Sequence, residues 1–140
     1  MNEMSEDESD GPNHLFVYGT LMQAYDHPMA RLLSEQANRV GEGSCCGQLF
    51  RIKHYPGLIA SDDAGDRVFG ELFRLRGTKN LLAKLDEYEG CGPSAPQPTQ
   101  YIRVVRPITL PDRTIDAWVY LYNRPVTGLT RILSGRFLAP

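Results

Sequence analysis

The sequence predicts an α+β domain: a small, mixed and largely antiparallel sheet that can close into a β-barrel, flanked by short helices. Three observations predict it. Gln100 to Thr109 and Thr114 to Tyr122 are two β-branched and aromatic runs joined by Leu110-Pro111-Asp112-Arg113, which reads as an antiparallel hairpin. Leu81, Leu82, Leu85 and Tyr88 recur at helical spacing between Thr78 and Gly90. The chain has 140 residues, a length that suits one core, and it carries more strand signals than helix signals.

Element by element, the chain starts its ordered part with Phe16-Val17-Tyr18-Gly19-Thr20-Leu21-Met22, an apolar strand that breaks into a glycine turn. Tyr25 to Leu33 reads as a helix, with Asp26 as N-cap and Pro28 in the first turn. Strand-like stretches follow around Arg39–Val40 and Gly47–Ile52, and Tyr55-Pro56-Gly57 reads as a turn. Arg67 to Leu75 is a strand in which Gly70 marks a bulge or a close backbone approach. Thr78 is the expected N-cap of the next helix and Gly90 its stop. Cys91 to Thr99, with three prolines and a glycine, is a loop, and Thr130 to Leu138 adds a last short element after the hairpin.

Charge divides the chain into two parts. Residues 1–13 hold Glu3, Glu6, Asp7, Glu8 and Asp10 with no lysine or arginine, so this tail carries −5. Taking those five from the 17 acids leaves 12 against 15 bases, or +3. The tail has little apolar surface to bury and is expected to be disordered, with residues 14–140 forming a single domain. It is either a solvated leader or an acidic interaction arm. The +3 remainder has no basic stripe, so nucleic acid is not an expected partner. No apolar run is long enough to cross a bilayer, and the N-terminus lacks the basic-then-apolar order of a signal peptide. Cys45, Cys46 and Cys91 do not form a disulfide framework, which fits a reducing, cytoplasmic setting.

The helix end is where the sequence breaks a rule. Asp86, Glu87 and Glu89 crowd a last turn whose free carbonyls already carry partial negative charge, at a cost of about 0.3–1 kcal/mol each. Such local conflicts concentrate at functional sites. Glu89 lies four residues after Leu85 and borders the buried stripe, whereas Asp86 and Glu87 lie further round, Asp86 reaching the stripe's other edge through Leu82. Lost hydration and the helix terminus both favour a protonated Glu89, which tunes it towards a general base near neutral pH. The alternative is that all three acids are solvated or bind arginines such as Arg103.

Together, Val17-Tyr18-Gly19-Thr20-Leu21 and Leu85-Asp86-Glu87-Tyr88-Glu89-Gly90 resemble the γ-glutamylcyclotransferase superfamily, which includes γ-glutamylamine cyclotransferases and AIG2-like proteins. Val68-Phe69-Gly70-Glu71-Leu72-Phe73, Tyr101-Ile102-Arg103 and Ala117-Trp118-Val119-Tyr120 extend the resemblance from about His14 to Leu138. It implies a small mixed barrel with flanking helices, Tyr18, Gly19, Thr20 and Leu21 as the substrate-binding turn, and Glu89 as the catalytic residue. Asp86 and Glu87 inherit no chemical role from it. The implied reaction converts a γ-glutamyl amine or γ-glutamyl amino acid to 5-oxoproline and a free amine, with no metal or cofactor. Family members often carry a basic or glycine-containing segment just after the turn; here Met22-Gln23-Ala24-Tyr25 stands there, a departure that bears on the leaving group.

Other readings stand beside this one. Trp118, Tyr120 and Tyr122 share one strand face, either as packing or with Tyr120 lining a pocket. His14, His27 and His54 lack the spacing of a shared metal site. Cys91 with His54 would make a Cys–His hydrolase, but Cys91 has no nucleophile signature around it. The strongest competitor to the enzyme is a module of the same fold that binds a small carboxylate without turning it over.

Overall fold

A computed structural model describes residues 12–22, 27–93 and 95–137. Most of the acidic tail, Asp26, residues 23–25 after the glycine turn, and Leu138 therefore lie outside the described residues. The elements run β1 (His14–Val17), α1 (Pro28–Gln36), β2 (Ala37–Arg51), β3 (Pro56–Ala60), β4 (Arg67–Leu75), α2 (Thr78–Tyr88), β5 (Tyr101–Thr109), β6 (Thr114–Tyr122) and β7 (Thr130–Arg131).

The barrel closes through five strands. Along the sheet β2 pairs β4, β4 pairs β1, β1 pairs β6 and β6 pairs β5, and a bridge between Ser44 and Thr109 returns β5 to β2. All pairings are antiparallel except β1 with β6, so the barrel is mixed as expected. β3 and β7 extend the far half of β2 beyond the barrel.

Side-chain alternation explains how so short a chain fills two cores. Phe16 of β1 and Tyr18 just after it, Val68 and Leu72 of β4, and Ala117, Val119 and Leu121 of β6 fill the barrel interior. The intervening residues Leu15, Val17, Phe73, Leu75 and Tyr120 face outward and are covered by Leu33 of α1 and Leu81, Leu82 and Leu85 of α2. Both faces of these strands are thus apolar. That is why β4 shows only imperfect alternation in the sequence.

Several boundaries differ from expectation, each for a local reason. The stretches 39–40 and 47–52 belong to one 15-residue strand, because Gly41, Gly43, Ser44 and Gly47 hide its periodicity. The register shift falls between Arg39 and Gly41 of β2, so Gly70 is a close approach and not a bulge. Pro56 opens β3 instead of sitting in a turn; the first residue of a strand is where proline's missing N–H is tolerated. The turn precedes it, with the Ile52 and Lys53 N–H groups both donating to the Tyr55 carbonyl at 3.0 and 3.2 Å. The N-cap of α1 is His27, whose Nδ1 accepts from the Met29 N–H at 3.0 Å. Gly77, in the left-handed region at φ 61°, precedes α2 without a side-chain cap, and Thr78 is already helical. Among the described residues no helix is long and apolar enough to cross a membrane.

Candidate active site

β1 and β6 run parallel and β5 antiparallel to them, so the ends of β1 and β6 and the start of β5 lie at one end of the barrel. A cleft of about 250 Å³ opens there. The turn after β1, the C-terminus of α2 and the start of β5 all contribute to its wall, bringing together Tyr18, Gly19, Thr20, Leu21, Glu89 and Tyr120.

Glu89 is placed by the way α2 stops. The Cys91 N–H bonds the Asp86 carbonyl at 3.0 Å and the Gly90 N–H bonds the Glu87 carbonyl at 3.2 Å. Gly90 takes φ 73°, and the whole is a Schellman motif with Glu89 at the C-cap. The motif satisfies the last carbonyls of the helix and fixes the backbone of Glu89 at the cleft wall. No side chain among the described residues hydrogen-bonds its carboxyl. Burial, and next the charge of Asp86, push the Glu89 carboxyl up to about 8. Lost hydration, as expected, is the larger cause, and Asp86 adds a specific charged neighbour.

The other two acids of that turn have separate fates. Glu87 is exposed. Asp86 accepts from Arg103 Nε at 2.8 Å and Nη2 at 3.1 Å, and from the Tyr120 hydroxyl at 2.7 Å. The expected arginine partner is therefore Arg103, and it takes Asp86 and not Glu89.

The turn itself is closed by the Met22 N–H donating to the Gly19 carbonyl at 3.1 Å. Among the described residues nothing accepts from the N–H groups of Gly19, Thr20 or Leu21. Gly19 is required by space, not by an unusual dihedral: a Cβ there would lie 2.7 Å from Pro56 Cγ. The Thr20 hydroxyl and the Tyr88 hydroxyl share a hydrogen bond of 2.8 Å, tying the turn to α2 one residue before Glu89.

Tyr18 contributes its ring to the cleft, but its hydroxyl is committed elsewhere. It donates to the Tyr120 carbonyl at 2.6 Å and accepts from the Leu58 N–H at 3.2 Å, so it joins β1, β6 and β3. Burial raises its ionisation well above the ordinary phenol range, and it stays neutral. A Tyr18→Phe variant would orphan two buried backbone groups. It is expected to lose about 1–3 kcal/mol in denaturant unfolding. A raised KM with unchanged stability would instead assign the hydroxyl to substrate.

Sequence reasoning missed several residues of the wall. His27 lines it, with its ring 5.1 Å from that of Tyr88. Its place directly before Pro28, where an N-cap belongs, was the available signal. Tyr101 lines the cleft and donates to the Pro56 carbonyl at 2.6 Å; Gln100 lines it too and donates to the Tyr55 hydroxyl at 2.7 Å. Both stand at the start of a strand-like run, and Tyr101 also belongs to the Tyr101-Ile102-Arg103 stretch of the resemblance. His54 lines the cleft, but Cys91 does not, and burial pushes the Cys91 thiol up to about 12. A Cys91 thiolate nucleophile is therefore unsupported. Among the described residues no group of three His, Cys, Asp or Glu side chains is arranged to hold a metal.

Comparison with known proteins places this geometry in a family. Residues 15–139 match the family model of gamma-glutamyl cyclotransferase, AIG2-like proteins, and the chain belongs to that family. It is 35% identical to the gamma-glutamylcyclotransferase family protein ytfP of Citrobacter rodentium over 127 residues, covering 89% of this chain and 94% of the relative. The Escherichia coli K12 protein YtfP is 34% identical over the same length, with 89% and 95% covered. Among solved structures, E. coli ytfP in solution superposes with a TM-score of 0.59 at 32% identity, covering 89% of this chain and 96% of that one. A mouse AIG2-like protein superposes with a TM-score of 0.63 at 26% identity, covering 81% and 80%. YkqA from Bacillus subtilis reaches a TM-score of 0.68 at 23% identity over 90% of this chain but 39% of that one, a likeness of fold alone.

Proposed function

We propose that the protein converts a γ-glutamyl amine or γ-glutamyl amino acid to 5-oxoproline and a free amine, with Glu89 as the general acid and base. The observation that carries this reading is a carboxyl held near pH 8 in the same cleft as a turn with free N–H donors.

A γ-glutamyl amide supplies its own nucleophile. Folded back in the cleft, its α-amino nitrogen attacks its γ-carbonyl carbon, and the intramolecular geometry removes the need for a protein nucleophile. Glu89 takes a proton from the attacking nitrogen. The amide C–N bond then breaks, and Glu89 returns the proton to the departing nitrogen. A chain-terminal amino group titrates at about 8, and one beside a free carboxylate somewhat higher, so a carboxyl raised to about 8 is far better matched to the proton it takes than an ordinary glutamate. The N–H groups of Gly19, Thr20 and Leu21 are suited to hold the substrate carboxylate or the developing oxyanion.

The test is to incubate the protein with a γ-glutamylamine and with γ-glutamyl dipeptides and to assay 5-oxoproline. Turnover is expected to rise as pH is raised through about 8, because Glu89 must lose its proton to act as base. If no substrate reacts while 5-oxoproline binds in the cleft, the protein is a binding module of the same fold.

A further inference from the structure

We propose that Asp86 is a positioning residue for this site: fixed from behind by Arg103, it holds Tyr120 against the cleft and keeps a negative charge one helical turn before Glu89. The inference rests on the reading of Glu89 given above.

The geometry is that of a built support. Asp86 lies three residues before Glu89 on the same helix, so the two share a face of its last turn. Its carboxylate accepts both arms of the Arg103 fork at 2.8 and 3.1 Å, a bidentate arrangement that fixes orientation as well as distance. The Tyr120 hydroxyl donates to it at 2.7 Å, and the Cys91 thiol lies 3.8 Å away. Arg103 in turn lies 4.3 Å above the Trp118 ring, whose indole N–H donates to the Pro12 carbonyl at 2.9 Å. Each layer immobilises the one in front of it. An acid that only decorated a helix end would need none of this.

The support acts on Glu89 through charge. Asp86 is the charged neighbour that favours the protonated form of Glu89, and Arg103 is its ion-pair partner at 2.8 Å. The other titratable groups around the pair are Tyr18 just after β1, Tyr101 of β5, Tyr120 of β6 and Cys91 of the loop. Burial raises all four, so they stay neutral near pH 8. His27, His54, Tyr55 and Tyr88 line the same cleft.

Opposite shifts from the two partners test the idea. Glu89 titration is followed by carbon NMR of side-chain-labelled protein, which needs no turnover, alongside the pH dependence of 5-oxoproline formation. Asp86→Asn removes the acid and frees Arg103, so the Glu89 midpoint is expected to fall by about one pH unit or more. Arg103→Met leaves Asp86 uncompensated and is expected to raise it. Asp86→Glu is expected to restore the midpoint. A midpoint that does not move in Asp86→Asn, or that moves the same way in both variants, overturns the proposal. Should Asp86→Asn fail to fold, a fall or no change in Arg103→Met overturns it alone. The titration shifting as expected with no turnover of any γ-glutamyl compound would sustain the role of Asp86 and reject cyclotransfer.

Discussion

Glu89→Gln is expected to lower 5-oxoproline formation by about 10²–10⁴-fold, the usual contribution of one acid–base group, while making the folded protein more stable. The two effects have one cause. A glutamate in an unfolded chain loses its proton near pH 4.3, whereas Glu89 in the fold keeps it until about 8. Between these values the unfolded chain binds fewer protons than the folded one, so stability falls as pH rises and the cost is fully expressed above 8. Glutamine is neutral at every pH and escapes it. The variant is expected to gain about 1–3 kcal/mol at pH 7, less than the full linkage value because the new amide must itself be hydrated in the cleft. Denaturant unfolding of both proteins from pH 4 to pH 9 measures the gap, which is expected to vanish towards pH 4 and to widen up to about 8. A constant gap would assign the effect to packing. Turnover that survives the substitution would remove Glu89 from the mechanism.

That trade of stability for a tuned carboxyl was partly visible in the chain. Helical spacing alone put Glu89 beside the Leu81–Leu85 stripe and marked three acids as misplaced. It singled out Glu89 among them but did not say which acid Arg103 of β5 would take, because no local pattern says which strand a helix end will meet. The hairpin of β5 and β6 and the strand 67–75 were legible because their residues are β-branched or aromatic and their ends carry turn residues. β2 was not: its glycines and serine contribute nothing to periodicity, and at Gly43 and Gly47 a neighbouring strand leaves no room for a Cβ. Tyr18 shows the same limit at the level of one atom. The family resemblance implied a ligand contact for Tyr18, but its hydroxyl is taken by Leu58 and Tyr120, residues remote in sequence. The glycine turn was legible at Gly19, but not that this glycine makes room for Pro56, some 37 residues on. Long-range partners, not local propensity, decide each of these cases.

Gly70→Ala is the second substitution with a large expected effect, and it joins the fold to the site. A Cβ at residue 70 would lie 2.1 Å from the Val17 carbonyl oxygen and 3.0 Å from both the Tyr18 Cα and the Phe16 ring. Two of these are backbone atoms and cannot turn aside as a side chain does. β1 is held to β4 through Leu15 with Phe73, Phe16 with Leu72 and Val17 with Glu71, so moving Val17 breaks the pairing that carries the strand. The expected loss is about 2–4 kcal/mol, at the upper end for a single methyl because the clash is with main chain. The displaced residues lead straight into Tyr18 and Gly19, so the cleft turn shifts with them, and 5-oxoproline formation is expected to fall even in the fraction that remains folded. Gly65→Ala is the matched control: the nearest atom to its new methyl is the side-chain oxygen of exposed Asp63 at 3.3 Å, which can move. Thermal unfolding and turnover of the two variants side by side distinguish the cases. If Gly70→Ala unfolds like the parent, β1 can slide without cost, and the cleft turn is not held in place by the barrel.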